Sequence, residues 1–164
     1  MSPTPEALQK LIDRQEIVDV LVGYAVSMDG EDWDALERCF TEDAVCDFGD
    51  LGPGMHGASG IARDMRGVIE PMDASFHMVG NHVIDIDGDR ASARSYLLAQ
   101  HVLREALGGP IFFVAGIYHD ELVRTADGWK IANKLLVARW TDGNPTIAPQ
   151  ARARMDAAQA AAGV

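Results

Sequence analysis

The second half of this chain is a series of four long segments of strand character joined by short links, and that arrangement constrains the fold most. Strands are expected at about 75–86, 90–105, 111–124 and 128–140. The links Asp87-Gly88-Asp89 and Ala126-Asp127-Gly128 carry the Asp-Gly pair favoured in tight hairpins, and Leu107-Gly108-Gly109-Pro110 breaks the middle pair. A parallel crossover needs a dozen or more residues, so strands joined this closely pair antiparallel. The result is a meander.

The first half reads differently. Thr4-Pro5-Glu6-Ala7 places a hydroxyl cap and a proline at a helix start, and Leu8, Leu11, Ile12, Val18, Leu21, Val22 and Ala25 recur three or four apart until Gly30. A short helix over about 32–40 presents Trp33, Leu36 and Phe40 on one side. A strand at 44–48, a glycine-rich loop at 49–57 and a third helix at about 58–68, closed by Pro71, complete this half. Helices followed by an antiparallel meander predict an α+β fold with helices packed on one face of a curved sheet. The expected domain is 1–145. Residues 146–164 form an Ala-rich tail whose apolar content is thin for anchoring a helix.

Length and an apolar content of 48% fit one domain with a single core. A net charge of −11 argues against nucleic acid or an anionic membrane as partner, since both call for clustered Lys and Arg. With no signal-like N-terminus and no run long enough to span a bilayer, cytoplasmic residence is expected. Cys39 and Cys46 match no metal spacing and read as reduced packing residues. His56, His82, His101 and His119 occur singly on a loop and on different strands, so neither a metal nor any other cofactor is expected. The 49–57 loop lacks a phosphate-loop lysine and reads as a pocket rim.

Chemical content concentrates in two residues. Asp29 ends the first helix and His77 opens a strand. A carboxylate that holds an imidazole in one tautomer makes a proton-abstracting base. A helix C-terminus disfavours a carboxylate, so Asp29 needs a reason for its place; capping the second helix is the plain alternative. For His77 the plain alternative is a hydrogen-bonded strand histidine. On the last strand Trp129, Ile131, Asn133, Leu135, Val137 and Arg139 share one face by alternation, opposite Lys130 and Lys134. That pattern predicts Arg139 on the inward face, paired either with a carboxylate or with a substrate oxygen. Tyr24 lies near the apolar stripe, where packing alone would account for it.

Several stretches together carry a resemblance: Tyr24 and Asp29 on the opening helix, Phe40-Thr41-Glu42-Asp43-Ala44, His56-Gly57-Ala58-Ser59-Gly60-Ile61 and Asp127-Gly128-Trp129-Lys130-Ile131. In order and spacing, over about residues 6–145, they resemble the SnoaL-like branch of the nuclear transport factor 2-like superfamily. That resemblance implies an α+β cone with a pocket between helices and sheet. Within the branch the chain looks most like the scytalone dehydratase, bile acid 7α-dehydratase and hexachlorocyclohexane dehydrochlorinase group. There an aspartate ending the first helix orients a strand histidine that removes a proton, and Asp29 and His77 match those positions.

By the same resemblance Tyr24 falls at the dehydratase tyrosine and Arg139 near a late pocket arginine, with Trp140 one residue away. Phe48 stands where dehydratases often carry a tyrosine, and Gln100 or His101 where the bile acid enzyme has an acidic residue. Phe48, Met55, Phe113 and Trp140 are the expected substrate contacts, with Phe112 and Met72 as further candidates. The implied activity is cofactor-independent elimination from a hydrophobic, ring-containing hydroxy-carbonyl compound. Isomerisation or polyketide-type cyclisation by the same base, and a non-catalytic ligand-binding or oxygenase-small-subunit-like role, are the rivals. A homo-oligomer, trimer before dimer, is implied as well.

Overall fold

The computed structural model describes residues 2–163. Helix α1 (Pro5–Asp29) starts as its sequence dictates: the Thr4 hydroxyl accepts the Ala7 amide at 3.2 Å, and Pro5 occupies the first turn. Its buried face runs through Asp13, Ile17, Leu21, Tyr24 and Met28, spaced three or four apart. The first two turns project beyond the core, so Leu8, Leu11 and Ile12 are exposed, as is Val22. Helix α2 (Trp33–Arg38) is capped by Asp32, whose carboxylate accepts the Ala35 amide at 2.9 Å. Asp29 is thereby relieved of that duty.

Strand β1 (Phe40–Asp47) begins four residues before the expected 44. The short β2 (Met55–His56) and helix α3 (Ala58–Ile69) follow. Four long strands then run β3 (Ala74–Asp87), β4 (Arg90–Val102), β5 (Ile111–Thr125) and β6 (Gly128–Gly143). Gly88 and Gly128 adopt positive φ (58° and 98°) where the hairpins turn, a conformation glycine enters without steric cost. The sheet order is β2-β1-β6-β5-β4-β3. All pairings are antiparallel except β1 with β6, which is parallel and makes the sheet mixed.

On β4, Ala91, Ala93, Ser95, Leu97 and Ala99 point inward in strict alternation. These small side chains leave room for α1 and for a cavity. The core joins them to Ile17, Leu21, Leu36, Phe40, Ile61, Leu122 and Ile131.

The C-terminal residues 147–162 form helix α4 (Ile147–Ala162), and Ile147 and Ala151 are fully buried in that core. Polar clasps supply what apolar content does not. Asn144 Nδ2 donates to the carbonyls of Leu107 and Gly109, while Gln150 both donates to and accepts from the Leu107 backbone. None of the described helices is long and apolar enough to cross a membrane.

Candidate active site

A cavity of about 570 Å3 opens between the curved sheet and helices α1, α3 and α4. That lies within the roughly 300–1,000 Å3 range of small-molecule sites. Its wall is mainly apolar: Met28, Phe48, Leu51, Met55, Met65, Ile69, Met72, Leu97, Ala99, Phe112, Val114, Leu136 and Ile147. The polar groups among its lining residues are few: Tyr24, Asp64, His77, His101, Tyr118 and Arg152.

Asp29 and His77 meet at this wall. The last turn of α1 carries Asp29 to the start of β3, where three groups bond its carboxylate. The His77 backbone N–H donates to Oδ2 at 2.7 Å, the Ser75 hydroxyl donates to Oδ1 at 3.1 Å, and His77 Nδ1 lies 2.7 Å from Oδ1. An ionised carboxylate only accepts, so Nδ1 carries a proton, and in the neutral ring this leaves the lone pair on Nε2. Burial alone raises the Asp29 pKa, but the bonds from the His77 ring and amide and from Ser75 outweigh it and hold the carboxyl below its ordinary range. Those bonds offset the unfavourable helix end.

His101 stands across from Ser75 on β4, its ring edge-on to His77 with centroids 5.3 Å apart. Its Nδ1 is buried without a hydrogen-bond partner. Burial first, and the neighbouring His77 second, push its pKa down to about 4, so it is neutral near pH 7.

Tyr24 is 1% exposed, and its buried hydroxyl lies beside that of Tyr118 without a well-aligned hydrogen bond among the described residues. The ring packs edge-on against Phe40 and Tyr118 at 5.8 Å each. Burial raises the pKa of both tyrosines above the usual phenol value, which keeps both protonated as potential donors. Beneath them Lys134 Nζ sits 4.3 Å from the Tyr24 ring centre, 3.9 Å from that of Tyr118, and 2.7 Å from Asp120 Oδ1. That ion pair is in contact, yet neither Asp120 oxygen has a well-aligned hydrogen bond.

Of the expected substrate contacts, Phe48 and Met55 line the cavity, together with Phe112 and Met72. Arg139, Phe113 and Trp140 do not, and the expectation of an inward Arg139 is corrected. Strand β6 carries two bulges. Glu121 pairs with Asn133 while Leu122 pairs with Ile131, which skips Ala132; Ala115 pairs with Trp140 while Gly116 pairs with Ala138, which skips Arg139 itself. Each bulge reverses the alternation. Trp129 and Ile131 therefore point inward, but beyond Ala132 the inward residues are Lys134 and Leu136. Arg139 is exposed on the outer face beside Met78 and Tyr96, and Trp140, 55% exposed, stacks on Phe113 at 4.8 Å there.

Sequence reasoning also missed Tyr118, Arg152, the Lys134–Asp120 pair and the pairing of His101 with His77. His101 was within reach, because alternation on β4 puts it on the same face as Leu97 and Ala99. Among the described residues no three His, Cys, Asp or Glu side chains gather as a metal-binding group.

Residues 9–134 match the family model of the SnoaL-like domain. The chain belongs to that SnoaL-like family. An uncharacterised protein of Mycobacterium tuberculosis is 33% identical over 130 residues, covering 79% of this chain and 87% of its own. A candidate aromatic ring hydroxylase from Novosphingobium aromaticivorans is 31% identical, with TM-score 0.76 over 84% of this chain and 97% of that one. At fold level alone, this SnoaL-like chain is similar to a candidate scytalone dehydratase of the same organism (22% identity, TM-score 0.74, 82% and 89% covered). A hexachlorocyclohexane dehydrochlorinase shares the fold likewise (20%, TM-score 0.75, 84% and 92%).

Proposed function

We propose that this SnoaL-like protein is a cofactor-independent lyase that removes water from a hydrophobic, ring-containing hydroxy-carbonyl compound, with His77 as base. The observation that carries this reading is the Asp29–His77 contact of 2.7 Å at the wall of an apolar cavity. His77 Nε2 takes a proton from the carbon beside the carbonyl. The C–H electron pair becomes a carbon–carbon double bond, and the hydroxyl on the next carbon departs with its own bonding pair. It leaves as water after receiving the proton from the imidazolium, which returns the dyad to its starting state. Asp29 stabilises the transient imidazolium.

The Tyr24 hydroxyl, which has no well-aligned hydrogen bond among the described residues, donates to the substrate carbonyl oxygen as negative charge builds there. The neutral His101 offers a second polar contact to the carbonyl or the departing hydroxyl. Arg139 has no part, being on the other face. Phe48 and Met55 contact the ring. Isomerisation or cyclisation would use the same base and leave product mass unchanged, whereas dehydration lowers it by one water. Across a panel of ring-containing β-hydroxy carbonyl compounds, His77→Ala is expected to abolish turnover while the protein stays folded. A fully active variant refutes the mechanism.

A second reading is a non-catalytic, oxygenase-small-subunit-like role, and stable co-purification with an oxygenase subunit would support it. We also propose self-association through the outer sheet face, where Phe76, Met78, Tyr96, Leu98 and Trp140 are all more than 40% exposed. Light scattering is expected to show a homo-oligomer, trimer before dimer; a monomer at all concentrations refutes it.

A further inference from the structure

Helix α4 brings a cation to a cavity whose wall has no other Lys or Arg among the described residues. Arg152, exposed on the second turn of α4, lines the mouth beside Asp64 and the first-turn residues Ile147 and Ala148. Its guanidinium is seated rather than free. Nη2 donates to the Asp64 carbonyl at 3.0 Å, and the group lies flat over Gly67 of α3. A methyl group at Gly67 would stand 3.1 to 3.2 Å from Nη2, Cζ and Nη1, so the glycine lets the guanidinium settle close against α3.

Among the described residues one of its five donors is used, and Arg152 makes no ion pair with them. The nearby Asp64 carboxylate is partly countered by Arg63 at 3.4 Å. The first turn of α4 adds the positive end of its helix dipole to the same mouth. In a chain of net charge −11, this is a local concentration of positive character on the rim of an apolar pocket.

We infer that Arg152 reads a carboxylate, or a group of like charge and shape, on the part of the ligand that remains at the mouth while its ring enters the cavity. The inference rests on the ring-ligand reading of the cavity and deepens it: the ligand class becomes anionic ring compounds. Guanidinium and carboxylate match as planar, multidentate partners, so this contact distinguishes a carboxylate from a neutral isostere.

Binding alone tests this, with no turnover required. Calorimetric titration of the full chain with 1-naphthoate and with neutral 1-naphthalenemethanol compares anion and isostere. Naphthoate is expected to bind about five- to tenfold more tightly at low salt, with the preference shrinking as salt rises. Arg152→Gln keeps a donor for the Asp64 carbonyl and is expected to remove that preference while leaving naphthalenemethanol within about twofold.

His77→Ala is expected to keep the preference, so failure of the elimination chemistry and failure of anion reading are separable. Equal binding of the two probes by the unmodified protein, or a preference that survives Arg152→Gln, overturns the inference. Failure of both probes to bind overturns it together with the ring-ligand reading.

Discussion

Asp29→Asn separates the two tasks of the carboxylate: holding His77 in place and choosing its tautomer. In the native site Oδ2 accepts the His77 backbone amide at 2.7 Å, and Oδ1 faces the His77 ring nitrogen at 2.7 Å and the Ser75 hydroxyl. An amide has one oxygen where the carboxylate has two. If that oxygen stays with the ring, its NH2 confronts the backbone N–H, donor against donor. The peptide cannot shed its proton, but the imidazole can move one. The amide is therefore expected to flip, giving its oxygen to the backbone and its NH2 to Nδ1, while the Ser75 hydroxyl rotates. The imidazole proton then moves to Nε2, and the lone pair that served as base is gone.

Two magnitudes follow. Exchanging charged for neutral acceptors costs about 1–2 kcal/mol, since hydrogen bonds to charged groups contribute about 1.5–3 and neutral ones about 0.5–1.5. For a domain of this size that lowers Tm by about 2–8 °C. Activity is expected to fall by about 10²–10⁴, the range a positioned general base supplies. Long-range proton–nitrogen correlation NMR of the histidine rings reads the tautomer directly and needs no substrate. Retention of the Nδ1–H tautomer with activity near native would refute the claim that Asp29 sets the base.

Two further tests concern ion pairs that support the site. Lys134 and Asp120 are 1% and 0% exposed, so Lys134→Met strands a buried carboxylate and is expected to cost about 3–5 kcal/mol in denaturant unfolding. Adding Asp120→Leu is expected to recover most of that loss, and a double variant as unstable as the single one counts against the pairing. At the other end of the core, a hydrogen bond from Arg124 at 2.7 Å, outweighing the opposite pull of burial, holds the Asp13 carboxyl at about 2 against an ordinary 3.8. The folded value is depressed, so its stabilisation is complete above the ordinary value and drains away as pH falls from about 4 through about 2. Melting curves of Asp13→Asn are expected to lie below the native protein's near pH 6 and to converge with them near pH 2; a constant gap refutes the linkage.

Legibility in the sequence followed how local each signal is. The meander was readable because Asp87-Gly88 and Asp127-Gly128 mark their turns within three residues, and those glycines do take positive φ. Helix α1 was readable from its cap. Its buried phase was harder, because Leu8, Leu11 and Ile12 are apolar yet lie on turns that reach past the sheet. Helix α4 was hard to place because its anchors are Asn144 and Gln150, gripping a loop remote in sequence.

The candidate site shows the same division. Asp29 stood out as a carboxylate at a helix end that penalises it, and the penalty pointed to a partner. Counting in twos along β6 places Arg139 inward, and the count fails at Ala132, a residue with no mark of a bulge in its side chain. What places a bulge is the mismatch between two strands, here β5 against β6, and that is a property of the pair. The same shift that sends Arg139 to the outer face turns Lys134 inward beneath Tyr24 and Tyr118. The cation expected at the end of the strand is thus replaced by one five residues earlier, held by Asp120 and walled from the cavity by two phenols. Among the described residues the cationic side chain that lines the cavity is Arg152 on α4.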